Sequence, residues 1–228
     1  MGTMKFQAAI FDMDGLLLDT ERVCMRVFQE ACTACGLPFR QEVYLSVIGC
    51  NAKTINGILS QAYGEDLPRL HNEWRQRYNA VVMHEAIPHK DGVIALLEWL
   101  KARSIPVAVA TSTQKEVALI KLQLAGLDHY FANITTGCEV TQGKPHPEIY
   151  LLAAERLGVE PQQCLAFEDS NNGIKAAMAA QMHAFQIPDL VKPSPEVIAL
   201  GHPICTSLNE VIDLLSPQSL GATVVGGK

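Results

Sequence analysis

The sequence has no run of apolar residues near the ~20 that a bilayer-crossing helix needs, although hydrophobic residues make up 48% of its 228 positions. Aromatics are scarce at 6% and charged residues at 18%. The net charge of -6 comes without a Lys/Arg stripe, which argues against a nucleic-acid groove or an anionic membrane surface as partner. The start, MGTMKFQAAIFDMDG, lacks a basic flank, a long apolar run and a small-residue cleavage site, so a cytoplasmic protein is expected. Seven cysteines, at positions 24, 32, 35, 50, 138, 164 and 205, form an odd and scattered set that predicts reduced thiols instead of a disulfide framework. The one CxxC, Cys32-Thr-Ala-Cys35, falls in a helical pattern with no second pair or His cluster, which points to core packing. A monomer is expected, with a dimer as the alternative.

What is present is alternation. Short β-rich runs at 6–11, 105–110, 132–136, 164–168 and 183–187, with a weaker one near 204, interleave with helical patterns at 91–103, 114–125, 146–157 and 172–181. That order predicts an α/β protein whose parallel sheet is covered by helices on both faces. Ser170-Asn171-Asn172 supplies capping residues for the last of these helices. Between the first and second strands the alternation stops, and helices alone are expected at 21–35, 40–47, 52–63 and 66–84. Breaks at Gly36-Leu37-Pro38, Gly49 and Gly64 separate them. The expected division is a core of 1–18 and 88–216, a helical lid of 19–87 flexing near Leu18–Thr20 and Ile87–His89, and a flexible tail of 217–228.

Ligands of parallel α/β sheets bind outside the carboxyl ends of the strands. Asp12 and Asp14 follow the first strand, Thr111-Ser112-Thr113 follows IPVAVA, Glu168-Asp169 follows CLAF, and Lys144 precedes a helix opened by Pro145 and Pro147. Two like charges ~4 Å apart repel by about 4 kcal/mol at an effective dielectric of 20. Clustered, the four acids therefore need a cation or protons. All candidate ligands are oxygens, which favours a hard ion such as Mg²⁺ over Zn²⁺. The chemistry that fits is phosphoryl transfer through a covalent carboxylate intermediate. Asp12 would be the nucleophile, and Asp14 would protonate the leaving oxygen and later activate water. Lys144, the Thr111 hydroxyl and the backbone N–H of Ser112 would hold the phosphoryl oxygens. Asp169 would ligate the metal, with Glu168 behind it.

In this order and at these separations, FDMDGLLLDT, VATST, GKPHPEIY and FEDSNNGIKAA resemble the four signature motifs of the haloacid dehalogenase superfamily. The helical insert after the first motif resembles its small-cap branch, which includes the β-phosphoglucomutase-like phosphatases. The likeness spans about residues 5 to 215. It implies a Rossmann-like three-layer core with an inserted α-helical cap domain, Mg²⁺ as cofactor, and the roles reasoned above. It also implies that Asp12, Asp169 and the Asp14 backbone carbonyl meet the metal. The break at Gly49, Cys50 and Asn51 would face the active site and contact substrate.

Asp14 disfavours the dehalogenase branch, which lacks a second aspartate. The mutase carries a Lys before the cap glycine, an Arg three residues after it and a His in the first cap helix; Ile48, Ala52 and Cys24 stand there instead. A C–P hydrolase would need a cap lysine, and Lys53 falls one residue too far from Gly49. The expectation is a phosphatase acting on a small phosphorylated metabolite, a sugar phosphate or nucleotide-like ester. The alternatives are a mutase and a noncatalytic binding protein. Trp74, Arg75, Arg77 and Tyr78 read as a solvated helix face over a buried Trp.

Overall fold

This computed structural model describes residues 6–48 and 52–216. Gly49, Cys50 and Asn51, expected to contact substrate, lie outside the described residues, as does the 217–228 tail.

Strands β1 (Ala8–Phe11), β2 (Val107–Thr111), β3 (Asn133–Thr136), β4 (Cys164–Glu168) and β5 (His183–Gln186) form one parallel sheet in the order β3-β2-β1-β4-β5. Every residue of β1, β2 and β4 is buried, as expected of strands covered on both faces. The two-residue period decides which face each side chain serves. Ala9, Phe11, Val109 and Phe167 pack with α5 (Val93–Lys101) and α6 (Lys115–Leu124) on one side. Ala8, Ile10, Ala108 and Ala166 meet α7 (Glu148–Leu157) and α8 (Asn171–Ala179) on the other.

The chain runs outward from β1 through β2 to β3, then returns to β4 on the opposite side of β1. Strand order therefore reverses between β1 and β4, and a crevice opens at their carboxyl ends. The expected strand over 105–110 begins after Pro106, whose ring nitrogen has no hydrogen to give a ladder. The weak strand near 204 is a single bridge between Gln186 and Ile204. Two helices absent from the sequence reading, α9 (Pro195–Ile198) and α10 (Leu208–Leu215), close the described chain. No described helix is long and apolar enough to cross a membrane.

The insert comprises α1 (Thr20–Ala34), α2 (Gln41–Val47), α3 (Ala52–Tyr63) and α4 (Leu67–His84), within one residue of the expected ranges. It carries its own core around Phe28, which is fully buried. The Phe28 ring lies 4.9 Å from Trp74, 5.2 Å from Tyr44 and 6.0 Å from Tyr63, centroid to centroid. Cys32 and Cys35 are buried in this core as free thiols. The two crossings into the insert run side by side: Leu18 bridges His89, the Asp19 amide donates to the Pro88 carbonyl at 2.8 Å, and Lys90 N donates to Leu17 O at 3.1 Å.

Phe28→Ala removes the ring at the centre of this aromatic cluster, and a loss of about 3–5 kcal/mol is expected. A urea unfolding curve with an unchanged midpoint would show that the insert core does not depend on it.

Candidate active site

Asp12 follows β1 directly and is 7% exposed, its amide donating to the Phe167 carbonyl of β4 at 3.0 Å. Lys144, in the loop before α7, sends its ammonium into the crevice. Nζ donates to the Asp12 carboxylate, to Glu168 Oε1 at 2.5 Å and to the Ala110 carbonyl at 3.0 Å. Glu168, the last residue of β4, is 1% exposed and densely bonded. Its carboxylate also accepts from the Tyr150 hydroxyl at 2.8 Å and from Ser170 N and Oγ at 3.2 and 3.0 Å. Ser170 is the N-cap of α8, its Oγ accepting from Gly173 N at 3.0 Å, so one serine both starts the helix and fixes the acid. A Cβ at position 173 would stand 1.8 Å from the Glu168 carboxyl carbon, so only glycine fits there.

One carboxylate oxygen each from Asp12, Glu168 and Asp169 lies within 4.8 Å of the others. Gly15 makes room for this group: its φ is +84°, and a Cβ there would come within 2.5 Å of Asp169 Oδ2. Burial, reinforced by Glu168 and only partly offset by Lys144, pushes Asp12 up to about 7. Burial and the charges of Glu168 and Asp12 hold Asp169 well above the usual carboxylate range. Burial alone would lower Lys144, but Asp12 and Glu168 overcome it and raise the ammonium instead. Fully ionised, three carboxylates against one ammonium would leave two negative charges uncompensated, and every donor is an oxygen. Those properties fit a hard divalent cation.

The Asp14 carboxylate does not join the other three acids. Thr113 Oγ1 donates to its Oδ2 at 2.6 Å and Lys121 Nζ to its Oδ1 at 2.8 Å. The four-acid cluster expected from the sequence is thus three acids, with the fourth holding a cation of its own. Lys121 is only 3% exposed and also donates to the Tyr78 hydroxyl at 3.3 Å. Burial would lower Lys121, yet Asp14 raises it. Tyr78 therefore reaches from the insert into the core, where the sequence suggested a solvated face. Arg75 and Arg77 do bond within α4, to Asn72 and Glu73, and Trp74 packs on Phe28.

Thr111 ends β2, 1% exposed, its Oγ1 accepting from Thr113 N at 3.1 Å; the α6 N-cap is Gln114, without a side-chain bond. Asp12, Asp14, Thr111, Ser112, Lys144 and Asp169 all line one cavity of about 650 Å³. The sequence reading missed Tyr150, Lys121, Glu21 and Asp189. Tyr150 and Lys121 fall in ordinary helical patterns, and only the tertiary structure brings them to the acids.

A family model described as haloacid dehalogenase-like hydrolase matches residues 9–187. The chain is 35% identical over 179 residues to a phosphorylated carbohydrates phosphatase of Thermotoga maritima, covering 76% of this chain and 81% of that protein. It is 32% identical over 185 residues to the Escherichia coli fructose-1-phosphate phosphatase YqaB, covering 80% and 97%. A crystal structure of a putative beta-phosphoglucomutase from Thermotoga maritima superposes with a TM-score of 0.78 at 30% identity, over 92% of this chain and 98% of that one.

Removing the ammonium leaves Asp12 and Glu168 buried without their shared counter-charge. In metal-free protein at pH 8, Lys144→Met is expected to lose about 3–5 kcal/mol. An acid whose folded pKa is raised binds its proton more readily in the native state, so stability rises as pH falls through about 7 toward its ordinary value of 3.8. Lys144 lowers the Asp12 pKa, so without it the acid takes up its proton at higher pH and the variant gains more than the wild type; the deficit should shrink between pH 8 and pH 5 in urea titrations, and a deficit independent of pH would contradict the charge account.

Proposed function

The chain belongs to the haloacid dehalogenase-like hydrolase family, and from that premise we propose that it is a Mg²⁺-dependent phosphatase acting on a small phosphate monoester of the sugar type. The observation that carries this reading is the Lys144 ammonium held between Asp12 and Glu168, beside Asp169, at the reversal of strand order.

An Asp12 oxygen attacks phosphorus, and the bond from phosphorus to the ester oxygen breaks. Asp14, rotated away from Thr113 and Lys121, gives its proton to that leaving oxygen. Water, deprotonated by Asp14, then attacks the aspartyl phosphate and frees Asp12 and inorganic phosphate. Lys144, the Thr111 hydroxyl and the Ser112 amide hold the phosphoryl oxygens as charge moves among them. Asp12, Asp169 and the Asp14 backbone carbonyl would hold Mg²⁺, with Glu168 fixing Lys144 and the loop that carries Asp169. Bound there, Mg²⁺ supplies positive charge to the acids and to the phosphoryl group. The helical insert, joined by the paired crossings at 18–20 and 87–90, covers this site and exposes it to solvent in turn.

A mutase would have to grip a second phosphate. Among the described residues, the lysines lining the cavity are both committed, Lys144 to Asp12 and Glu168 and Lys175 to Glu196. This favours water as the acceptor.

Asp12→Asn is expected to abolish turnover of a generic ester with Mg²⁺ while circular dichroism and melting stay close to wild type; substantial residual activity would contradict the nucleophile assignment. EDTA should suppress turnover and added Mg²⁺ restore it. Because the Asp12 proton, with a folded pKa of about 7, and that of the raised Asp169 must leave before a metal binds, the Mg²⁺ concentration for half activity should rise at least about tenfold per pH unit below that value. A half-saturating concentration that is flat from pH 8 to pH 5.5 would refute this competition.

A further inference from the structure

Two acids of the cavity have no part in the phosphoryl steps. Glu21 stands in the first turn of α1, on the insert, and lines the cavity. Among the described residues its carboxylate has no hydrogen-bond or ion-pair partner. Burial, followed by the charges of Asp189 and Asp14, raises its pKa, so the three acids lie within electrostatic reach of one another. Asp189, in the loop after β5, lines the same cavity from the core. Its side chain is 2% exposed, and its two oxygens differ. Oδ1 accepts from Arg22 at 2.9 Å and from Lys90 at 2.6 Å, whereas Oδ2 is buried with no partner.

A buried acceptor without a donor is a costly arrangement that a ligand hydroxyl relieves. A second cation is not called for at Asp189, which already has two. A second anion is disfavoured beside these acids, because Glu21, Asp189 and Asp14 lie within electrostatic reach of one another while Arg22 and Lys90 are bound to Asp189. Ile48, Leu190 and Val191 also line the cavity and add apolar surface suited to the C–H faces of a carbohydrate. Resting on the phosphatase reading, we propose that Glu21 and Asp189 hold hydroxyl groups of an uncharged polyol leaving group and disfavour esters whose leaving group carries a second anion. Selectivity would then reside in one acid from the insert and one from the core, engaged together when the insert covers the substrate.

The test uses the full chain with Mg²⁺ and compares kcat and KM for a hexitol monophosphate, a hexose bisphosphate, 2-phosphoglycolate, phosphoethanolamine and p-nitrophenyl phosphate. The wild type should favour the hexitol ester over both anionic esters by at least about tenfold in kcat/KM. Glu21→Ala should lower the ratio of hexitol to p-nitrophenyl ester kcat/KM by about tenfold, chiefly through KM, the scale of one lost hydrogen bond to a charged acceptor. Glu21→Gln should narrow the discrimination against the anionic esters while keeping more of the hexitol activity than Glu21→Ala. Asp189→Asn, which retains an oxygen for Arg22 and Lys90, should lower the same ratio, with melting used to confirm folding. Equal handling of mono- and bisphosphate by the wild type, an unchanged ratio in folded Glu21 and Asp189 variants, or a preference for phosphoethanolamine would each overturn the proposal. A wild type inert toward all five esters would overturn the phosphatase reading and this inference together.

Discussion

The rest of the structure depends on one buried ammonium. Lys144 Nζ touches a carboxylate at the end of β1, a carboxylate at the end of β4 and a carbonyl of β2, so it bonds to three adjacent strands. Asp12 and Glu168 are too deeply buried to share a crevice without a counter-charge. The lysine is therefore a condition of the fold as well as a member of the site. Its surroundings serve the same end: Tyr150 and Ser170 occupy the remaining acceptor capacity of Glu168, and a glycine at 173 leaves the carboxylate its space.

Asp14 lies on a different axis. Its charge is matched by Lys121, which α6 contributes and which Tyr78 contacts from α4. The residue assigned to proton transfer is thus bound to a lysine that also bonds the insert, while among the described residues the residue assigned to attack is bound only to the core. Two neighbouring aspartates, one residue apart in sequence, consequently sense different parts of the molecule. Their surroundings differ accordingly: burial dominates at Asp12, and Lys121 sits beside Asp14.

Much of the fold was legible because the strands are short, continuous and bounded by turn chemistry. The 164–168 run needed no adjustment, and 105–110 begins later, after Pro106, which has no N–H to donate, and runs on to Thr111. The short α10 escaped notice although Leu208, Val211, Ile212 and Leu215 follow the helical period, since eight residues leave little pattern to read. In the site, Asp12, Thr111, Lys144 and Asp169 could be named because each follows a strand or opens a helix where a parallel sheet gathers its ligands. The partners could not. Lys121 reads as a surface lysine of an amphipathic helix, Tyr150 as core, and Asp189 as a lone acid in a loop; their importance arises from contacts across 107, 18 and 167 residues of chain.

The insert leaves and rejoins the core through two crossings that hydrogen-bond to each other, and it carries an apolar cluster of its own around Phe28. A segment joined this way behaves as a cassette. Lengthening, reshaping or exchanging it alters the walls that a substrate meets yet leaves the strand ends and their lysine intact, so new preferences could be acquired by lineages of this fold without reinventing the chemistry beneath.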